Sequence, residues 1–251
     1  MNITYDFILI FVGILVGFIN TLAGGGSSVL YPILIFMGMP IHTAIGTSRV
    51  GFIAQGIFSV AGFKSKGIFI FPFNLYAAVA AMTGGLIGAW ISLQVPSKNL
   101  TRILAFIMIM IAFLILIQAK INNHNKKYRI SGKWLWISLI VYFFIGMYGG
   151  FIQAGMGFMI ILAGTLINHF NLTQANSIKA LIVLILTIPT LLMFALEDKV
   201  NWQAGFAIAI GTALGSWLTS RWSVSVNEKY IRIFIAFIIV ILAGKLYYFP
   251  I

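Results

Sequence analysis

The chain has 251 residues, of which 61% are hydrophobic and only 8% are charged, and its formal net charge is +12. Soluble domains carry about 25% charged residues, so this composition indicates an integral membrane protein and excludes a soluble globular domain. The basic residues lie mainly in short loops between apolar runs, which is the usual bias of membrane proteins and does not indicate nucleic-acid binding. With no cysteine in the sequence, a disulfide framework and a zinc–thiolate site are excluded.

The first half of the chain predicts four membrane-spanning helices and one shorter helix, because a spanning helix needs about 20 apolar residues. The predicted spans cover residues 5–23, 43–63, 71–93 and 100–118, with a short apolar segment over 29–37. That segment is too short to cross a bilayer, so we expect a half-helix or a re-entrant piece. The N-terminal residues lack the basic region of a signal peptide, so the first segment is predicted to be a retained span.

A basic linker separates the two halves. Residues 119–133 are the most polar part of the chain and contain five basic residues and no acidic one: Lys120, Lys126, Lys127, Arg129 and Lys133. Basic loops of membrane proteins lie in the cytoplasm, so this linker is predicted to be cytoplasmic. It divides the chain into a first transmembrane repeat over residues 1–118 and a second over 134–251.

The second half has the same order of elements, with predicted spans over 134–154, 175–196, 203–220 and 230–248 and a short segment over 158–167. Shifts of 130 and 133 residues pair polar and small residues of the two halves: Thr43 with Thr173, Thr47 with Ser177, Arg49 with Lys179, Gly17 with Gly150, and Asn20 with Gln153. The sequence therefore predicts an all-α integral membrane protein with about eight transmembrane helices in two homologous four-span repeats, each containing a Gly-rich break.

The number of crossings per half decides the relative orientation of the repeats. Four crossings give both halves the same orientation and place both termini on the cytoplasmic side with the linker. We expect this arrangement because the short segments are too short to cross, and it places Lys98, Arg102, Lys229 and Arg232 on or near the outer face. Five crossings per half would instead give inverted repeats.

Two sequence signatures resemble a known family. The first half contains GFINTLAGGGS at Gly17–Ser27 and AIGTSR at Ala44–Arg49, and the second contains GGFIQAGMGF at Gly149–Phe158 and ANSIK at Ala175–Lys179. In order and spacing these resemble the signatures of the TauE/SafE sulfite exporter family. The resemblance implies two repeats with roughly eight spans, a bacterial inner-membrane location, and transport of sulfite, sulfonates or related anions. One departure is Gly46, where similar members often carry Asn, as the second half does at Asn176.

Two cations inside predicted spans are the first candidates for an anion site. Ionisable residues within a membrane span mark functional sites, and the planar guanidinium of Arg49 suits an oxyanion. Lys179 lies at the paired position of the second half. Two alternatives stay open: Arg49 extends to the membrane interface, or both cations bind neighbouring carbonyl groups.

The broken segments are the second set of candidates, because the N-terminus of a half-helix presents free amides to an anion. The candidate substrate-binding residues are Gly24, Gly25, Gly26, Ser27, Gly155 and Gly157 at the breaks, with Asn20, Thr47, Ser48, Gln55, Gln153, Asn176 and Ser177 near them. Close helix packing by glycine and hydrogen bonding between helices by the polar residues are the structural alternatives.

The carboxylates Asp6, Glu197, Asp198 and Glu228 all lie at predicted helix ends or loops. A cation carrier usually has a carboxylate within the membrane, so the sequence favours an anionic substrate. No catalytic set, metal cluster or cofactor motif is present, which argues against an enzyme. We expect an exporter of small sulfur-containing or organic anions whose partners are this substrate and the lipid bilayer. An anion channel and a non-transporting membrane assembly or sensor protein are the alternatives, and proton coupling and oligomeric state stay open.

Overall fold

The computed structural model describes residues 3–117, 127–222 and 237–246, and all regular structure in these ranges is helical. The helices are α1 (Ile3–Ala23), α2 (Gly26–Phe36), α3 (Ile41–Lys64), α4 (Phe73–Gln94), α5 (Ser97–Ile117), α6 (Lys133–Phe151), α7 (Met156–Leu166), α8 (Leu172–Leu196), α9 (Trp202–Trp222) and α10 (Phe237–Leu246). Each predicted apolar segment contains one of these helices. Residues 118–126 of the linker, Glu228, Lys229 and Arg232 lie outside the described residues.

Four helices are long and apolar enough to cross a membrane: α1 over Tyr5–Leu22, α4, α6 and α8. Helix α3 has 24 residues, or about 36 Å, which exceeds the roughly 30 Å of a bilayer core. Its hydropathy is lower because it carries polar residues, among them Thr47, Ser48, Arg49 and Gln55, and these are all buried inside the protein. Large apolar side chains such as Phe11 and Trp90 are exposed instead, as expected of a surface that contacts lipid.

Helices α1, α3 and α9 run in the same direction. Glycines on α1 and α3 allow close contact with α9. In each pair of helices, residues later in one helix contact residues later in the other. A Cβ atom added to the glycine would lie about 3 Å or less from the partner in each of these pairs: Gly13 with Ile208, Gly17 with Thr212, Gly51 with Ile208, and Gly62 with Ser220. Parallel packing of the three helices follows.

Helices α4, α6 and α8 run in the opposite direction. Helix α8 is antiparallel to α3, because Arg49 contacts Thr190 whereas Gly56, later in α3, contacts Leu184, earlier in α8. Helices α6, α7 and α8 alternate in direction, as shown by the pairs Gly149 with Met156, Tyr142 with Asn168, Gly157 with Lys179, and Gly164 with Ala175. Helix α4 is parallel to α6, since Gly84 packs on Phe143 and Gly88 on Phe151.

The expectation that both halves share one orientation is therefore wrong for these helices. The pairs matched by the sequence shift, α1 with α6, α3 with α8 and α4 with α9, each run in opposite directions. The physical reason is that each short helix reverses the chain: the Thr21 and Ser59 hydroxyls lie 3.5 Å apart near the ends of α1 and α3, so α2 must return to where α3 begins. Helices α1–α4 and α6–α9 thus alternate in direction along the chain.

The same alternation corrects the predicted side of the termini. Helix α1 begins at one face of the bundle, which we call the terminal face, and α6 begins at the other, which we call the linker face. Helix α10 ends at the terminal face, where the Lys245 ammonium lies 4.5 Å from the centre of the Phe36 ring at the end of α2. The beginning of α1 and the end of α10 therefore lie opposite the linker, not beside it.

Candidate functional site

Two helical hairpins enter the bundle from opposite faces, and their tips meet inside it. The first hairpin is α1–α2, with its tip at Gly24 and Gly25, and the second is α6–α7, with its tip over residues 152–155. Gly24 has φ +77°, and a Cβ atom added to Gly157 would lie 2.9 Å from the Gly24 Cα. The two backbones therefore touch at a point where only glycine fits on both sides.

Ser27 joins the two tips by hydrogen bonds. Its hydroxyl donates to the carbonyl oxygen of Gln153 at 2.9 Å and accepts from the backbone N–H of Gly155 at 3.0 Å. Gln153 has φ +63°, a left-handed conformation that is uncommon for a residue other than glycine. Strained backbone of this kind clusters at functional sites when the surrounding structure holds it, and Ser27 supplies that restraint.

A small cavity of about 10 Å³ lies between the tips, with room for roughly one water molecule. Its lining combines polar and small residues with apolar side chains: Asn20, Ser27, Gln153 and Gly157, with Phe52, Met156 and Val183. Asn20 donates to the Gln55 side-chain oxygen at 3.0 Å, and Gln153 donates from Nε2 to the Thr187 hydroxyl at 3.1 Å. The Oε1 atom of Gln153 is buried and has no hydrogen-bond partner among the described residues.

Arg49 is fully buried beside the second hairpin. Its Nη1 donates to the Thr190 hydroxyl and its Nη2 to the carbonyl oxygen of Gly150, both at 2.6 Å. The guanidinium carbon also lies 4.7 Å from the centre of the Phe194 ring. Its Nε has no partner in the described structure. Because Gly150 is in the last turn of α6, Arg49 binds the negative end of that helix dipole.

Lys179 binds the corresponding helix end of the first hairpin. Its ammonium group donates to the carbonyl oxygens of Asn20 at 2.7 Å and Thr21 at 2.9 Å, and to the Asn176 side-chain oxygen at 2.6 Å. Asn20 and Thr21 lie in the last turn of α1. Each cation therefore binds the helix end of the opposite half of the chain.

No carboxylate is among the contacts of Arg49 in the described part of the chain. Asp6 accepts hydrogen bonds from Gln203, and Glu197 and Asp198 follow the end of α8 at the terminal face. The positive charge of Arg49 is thus compensated by a carbonyl dipole, a hydroxyl group and an aromatic ring.

The remaining predicted residues divide into two groups. Asn176 and Gln55 contact residues of the site, and Gly25, Gly26 and Gly155 form the hairpin tips. Three hydroxyls bond elsewhere. Ser48 and Ser177 donate to carbonyl groups of their own helices, and Thr47 accepts from the Asn201 backbone.

Several residues of the site were not predicted from the sequence. Thr187 and Thr190 had a detectable signal, since two hydroxyls three residues apart interrupt the apolar run of α8. Phe52, Met156, Val183 and Phe194 had none, because apolar side chains are ordinary in a membrane helix.

Opposed helical hairpins and buried cations in a bundle with an apolar surface are typical of membrane transporters. The family model described as Sulfite exporter TauE/SafE matches residues 9–246, so the chain belongs to the TauE/SafE sulfite exporter family, as the two sequence signatures predicted. It is a multi-pass membrane protein of a transporter family, which agrees with its expected location and argues against an enzyme.

Bacterial relatives carry transporter names. The chain is 29% identical over 241 residues to "Probable membrane transporter protein YfcA" of Escherichia coli (strain K12), covering 96% of this chain and 89% of that protein. It is 24% identical to "Probable membrane transporter protein" of Haemophilus influenzae, covering 96% and 94%. It is 22% identical to "Probable membrane transporter protein YunE" of Bacillus subtilis, covering 96% and 97%. No solved structure matches the chain.

Proposed function

We propose that this transporter exports small sulfur-containing or organic anions, such as sulfite or sulfonates, and binds them between the two hairpin tips, in a cavity that widens when the hairpins move apart. The observation that carries the proposal is the fully buried cation Arg49, which has an unpaired Nε and no carboxylate among its contacts in the described structure. Burying charge without a counterion is costly, so the site is most stable when an anion supplies the missing negative charge.

The polar residues of the cavity have distinct roles in this proposal. Asn20, Ser27 and Gln153 line the cavity and contact the anion directly. Lys179 already uses its three donors on Asn20, Thr21 and Asn176, so it acts through its charge and by holding the first hairpin. Arg49 holds the second hairpin in the same way and keeps an unpaired Nε as a further donor.

The helix directions support inverted repeats over residues 1–118 and 134–251, joined by the linker over 119–133. About eight full spans and two short helices make up this architecture. Transporters with inverted repeats hold the substrate near the middle of the membrane and expose it alternately to each side by rocking one unit against the other. The opposed hairpins fit this scheme, because each approaches the cavity from a different face.

The charge distribution supports a cytoplasmic linker face. The described charged residues there are all basic: Lys64, Lys66, Lys127, Arg129, Lys133 and Arg221. The terminal face has Lys98, Arg102, Lys199 and Lys245 together with Asp6, Glu197 and Asp198. Since loops rich in Lys and Arg stay in the cytoplasm, we place the linker inside the cell and both ends of the bundle outside.

The test is the thermal stability of the purified protein with sulfite, thiosulfate, methanesulfonate and acetate, together with anion flux in proteoliposomes. An anion at 100 times its dissociation constant adds about 2.7 kcal/mol to the free energy of unfolding. We expect a selective gain that is lost in Arg49→Met and kept in Arg102→Met, which removes an exposed arginine of α5. Saturable anion flux that survives loss of both Arg49 and Lys179 would contradict the proposal. Counter-exchange across the vesicle membrane would separate a carrier from a channel.

A further inference from the structure

We propose that Thr187 is a positioning residue that turns the side-chain NH₂ group of Gln153 toward the bound anion. This inference rests on the proposed anion site and adds a residue that controls it. Thr187 lies in α8, is fully buried, and contacts the side-chain amide of Gln153, a residue that lines the cavity.

Thr187 differs from three other buried threonines of the described helices. Thr190, Thr212 and Thr219 each donate their hydroxyl hydrogen to the carbonyl oxygen four residues earlier, at 2.9, 2.9 and 2.6 Å. Thr187 instead accepts a hydrogen bond from Gln153 Nε2 at 3.1 Å, and among the described residues its own hydrogen has no acceptor. The hydroxyl of Thr187 is therefore able to donate.

Within the described ranges, the Gln153 amide lacks a hydrogen-bond donor for its oxygen atom, whereas the Thr187 hydroxyl lacks an acceptor for its hydrogen. Gln153 is only 3% exposed, and its buried Oε1 atom accepts no hydrogen bond in the described structure. Unpaired buried polar groups are unfavourable, so this orientation of the amide leaves one unmet hydrogen-bonding group on each residue. A single hydrogen bond from the Thr187 hydroxyl to Gln153 Oε1 would satisfy both groups.

Rotation of the amide by half a turn exchanges its oxygen and nitrogen. Thr187 then donates to Oε1, and the two hydrogens of Nε2 are released toward the cavity. This orientation satisfies the threonine but requires an acceptor in the cavity, which the oxygen atoms of an anion provide. When an anion binds, the amide therefore directs its NH₂ group at the oxygen atoms of the anion, and its own oxygen accepts from Thr187.

The backbone leaves the amide little other freedom. Ser27 holds the carbonyl group of Gln153 at 2.9 Å, and the left-handed turn is fixed between the two hairpins. The backbone atoms that carry the side chain are therefore held in place. Rotation about the last bond of the side chain exchanges the amide oxygen and nitrogen without moving this backbone. Thr187 determines which orientation is favoured, without contacting the anion itself.

The test compares Thr187→Val, which removes the hydroxyl at nearly constant volume, with Thr187→Ser, which keeps it. Sulfite, methanesulfonate and acetate uptake are measured in proteoliposomes as a function of concentration. We expect Thr187→Val to raise the KM about tenfold, equivalent to about 1.4 kcal/mol, with little change in the maximal rate. Thr187→Ser should keep a KM near the wild-type value. Thr219→Val is the matched control, because Thr219 donates to its own helix and does not line the cavity.

Three outcomes would contradict the inference. An unchanged KM in Thr187→Val, with saturable uptake by the wild type, contradicts the role of Thr187 and leaves the proposed function standing. Equal increases in Thr187→Val and Thr187→Ser would assign the residue to packing alone. A wild-type protein that neither binds nor transports any of the three anions contradicts the proposed function and the inference with it. If Thr187→Val does not fold, Thr187→Ala replaces it in the same comparison with Thr187→Ser.

Discussion

The ammonium group of Lys179 lies 2.7 Å from the carbonyl oxygen of Asn20, in the last turn of a helix from the other half of the chain. Arg49 makes the corresponding contact with Gly150 at 2.6 Å. Each half therefore stabilises the hairpin of the other through a buried cation. This reciprocal arrangement couples the charge of the site to the position of both hairpin tips.

Replacing Lys179 with Met should destabilise the first hairpin and abolish anion binding. The substitution leaves the carbonyl group of Thr21 buried without this donor, at a cost of about 1–3 kcal/mol, whereas the carbonyl group of Asn20 still accepts from the backbone N–H of Gly24 at 3.0 Å. Thermal unfolding with and without sulfite measures both effects. Lys64→Met is the control, since Lys64 is exposed at the end of α3. A Lys179→Met protein that sulfite still stabilises would show that the cation is dispensable for binding.

Replacing Ser27 with Ala should have a far larger effect than replacing its neighbour Ser28. Ser27 bonds both Gln153 and Gly155, so its loss should lower the free energy of unfolding by about 1–3 kcal/mol and impair transport. The hydroxyl of Ser28 is buried without a partner in the described structure, so Ser28→Ala removes an unsatisfied polar group and should leave the free energy of unfolding unchanged or slightly higher. Denaturation and uptake assays on the two variants provide the comparison. Equal losses would mean that the bonds between the hairpins contribute nothing specific.

Replacing Gly24 with Ala should disrupt contact between the hairpin tips. The substitution combines a left-handed backbone, φ +77°, with a clash against the backbone of Gly157 and Phe158. Gly38→Ala separates these effects, because Gly38 has φ +88° but no atom within 4 Å of an added Cβ. The backbone penalty alone is about 1–2 kcal/mol. We therefore expect Gly38→Ala to retain transport and Gly24→Ala to lose it, and similar transport by both variants would argue against a tight contact.

The linker and the ends of the bundle should lie on opposite sides of the membrane. The chain has no cysteine, so single cysteines can be introduced without background labelling. We expect a membrane-impermeant maleimide to label Glu197→Cys in intact cells and Lys133→Cys only after permeabilisation, because these exposed residues lie at opposite faces. Labelling of both positions from the same side would rule out the inverted arrangement.

Much of the helical organisation was predictable from the sequence, because each apolar run is a local feature whose length limits what it can form. The short runs gave two helices of 11 residues, as expected. Arg49, Lys179, Asn20 and Gln153 were identified as candidates because polar residues are unusual in such surroundings. Their use as ligand-binding residues stays a prediction. Thr187 was missed because its importance depends on a partner 34 residues away.

The sequence by itself determined that the protein resides in a membrane, that its halves carry matching signatures, and that its buried charge is positive. These properties follow from composition and spacing. Only the tertiary structure decided the direction of each helix, and it overturned the expected shared orientation of the halves. The reason is that apolar periodicity is unchanged when a helix is reversed, so hydropathy cannot show that α2 and α7 turn back. That information lies in long-range contacts, such as those of Arg49 with Gly150 and Gly24 with Gly157.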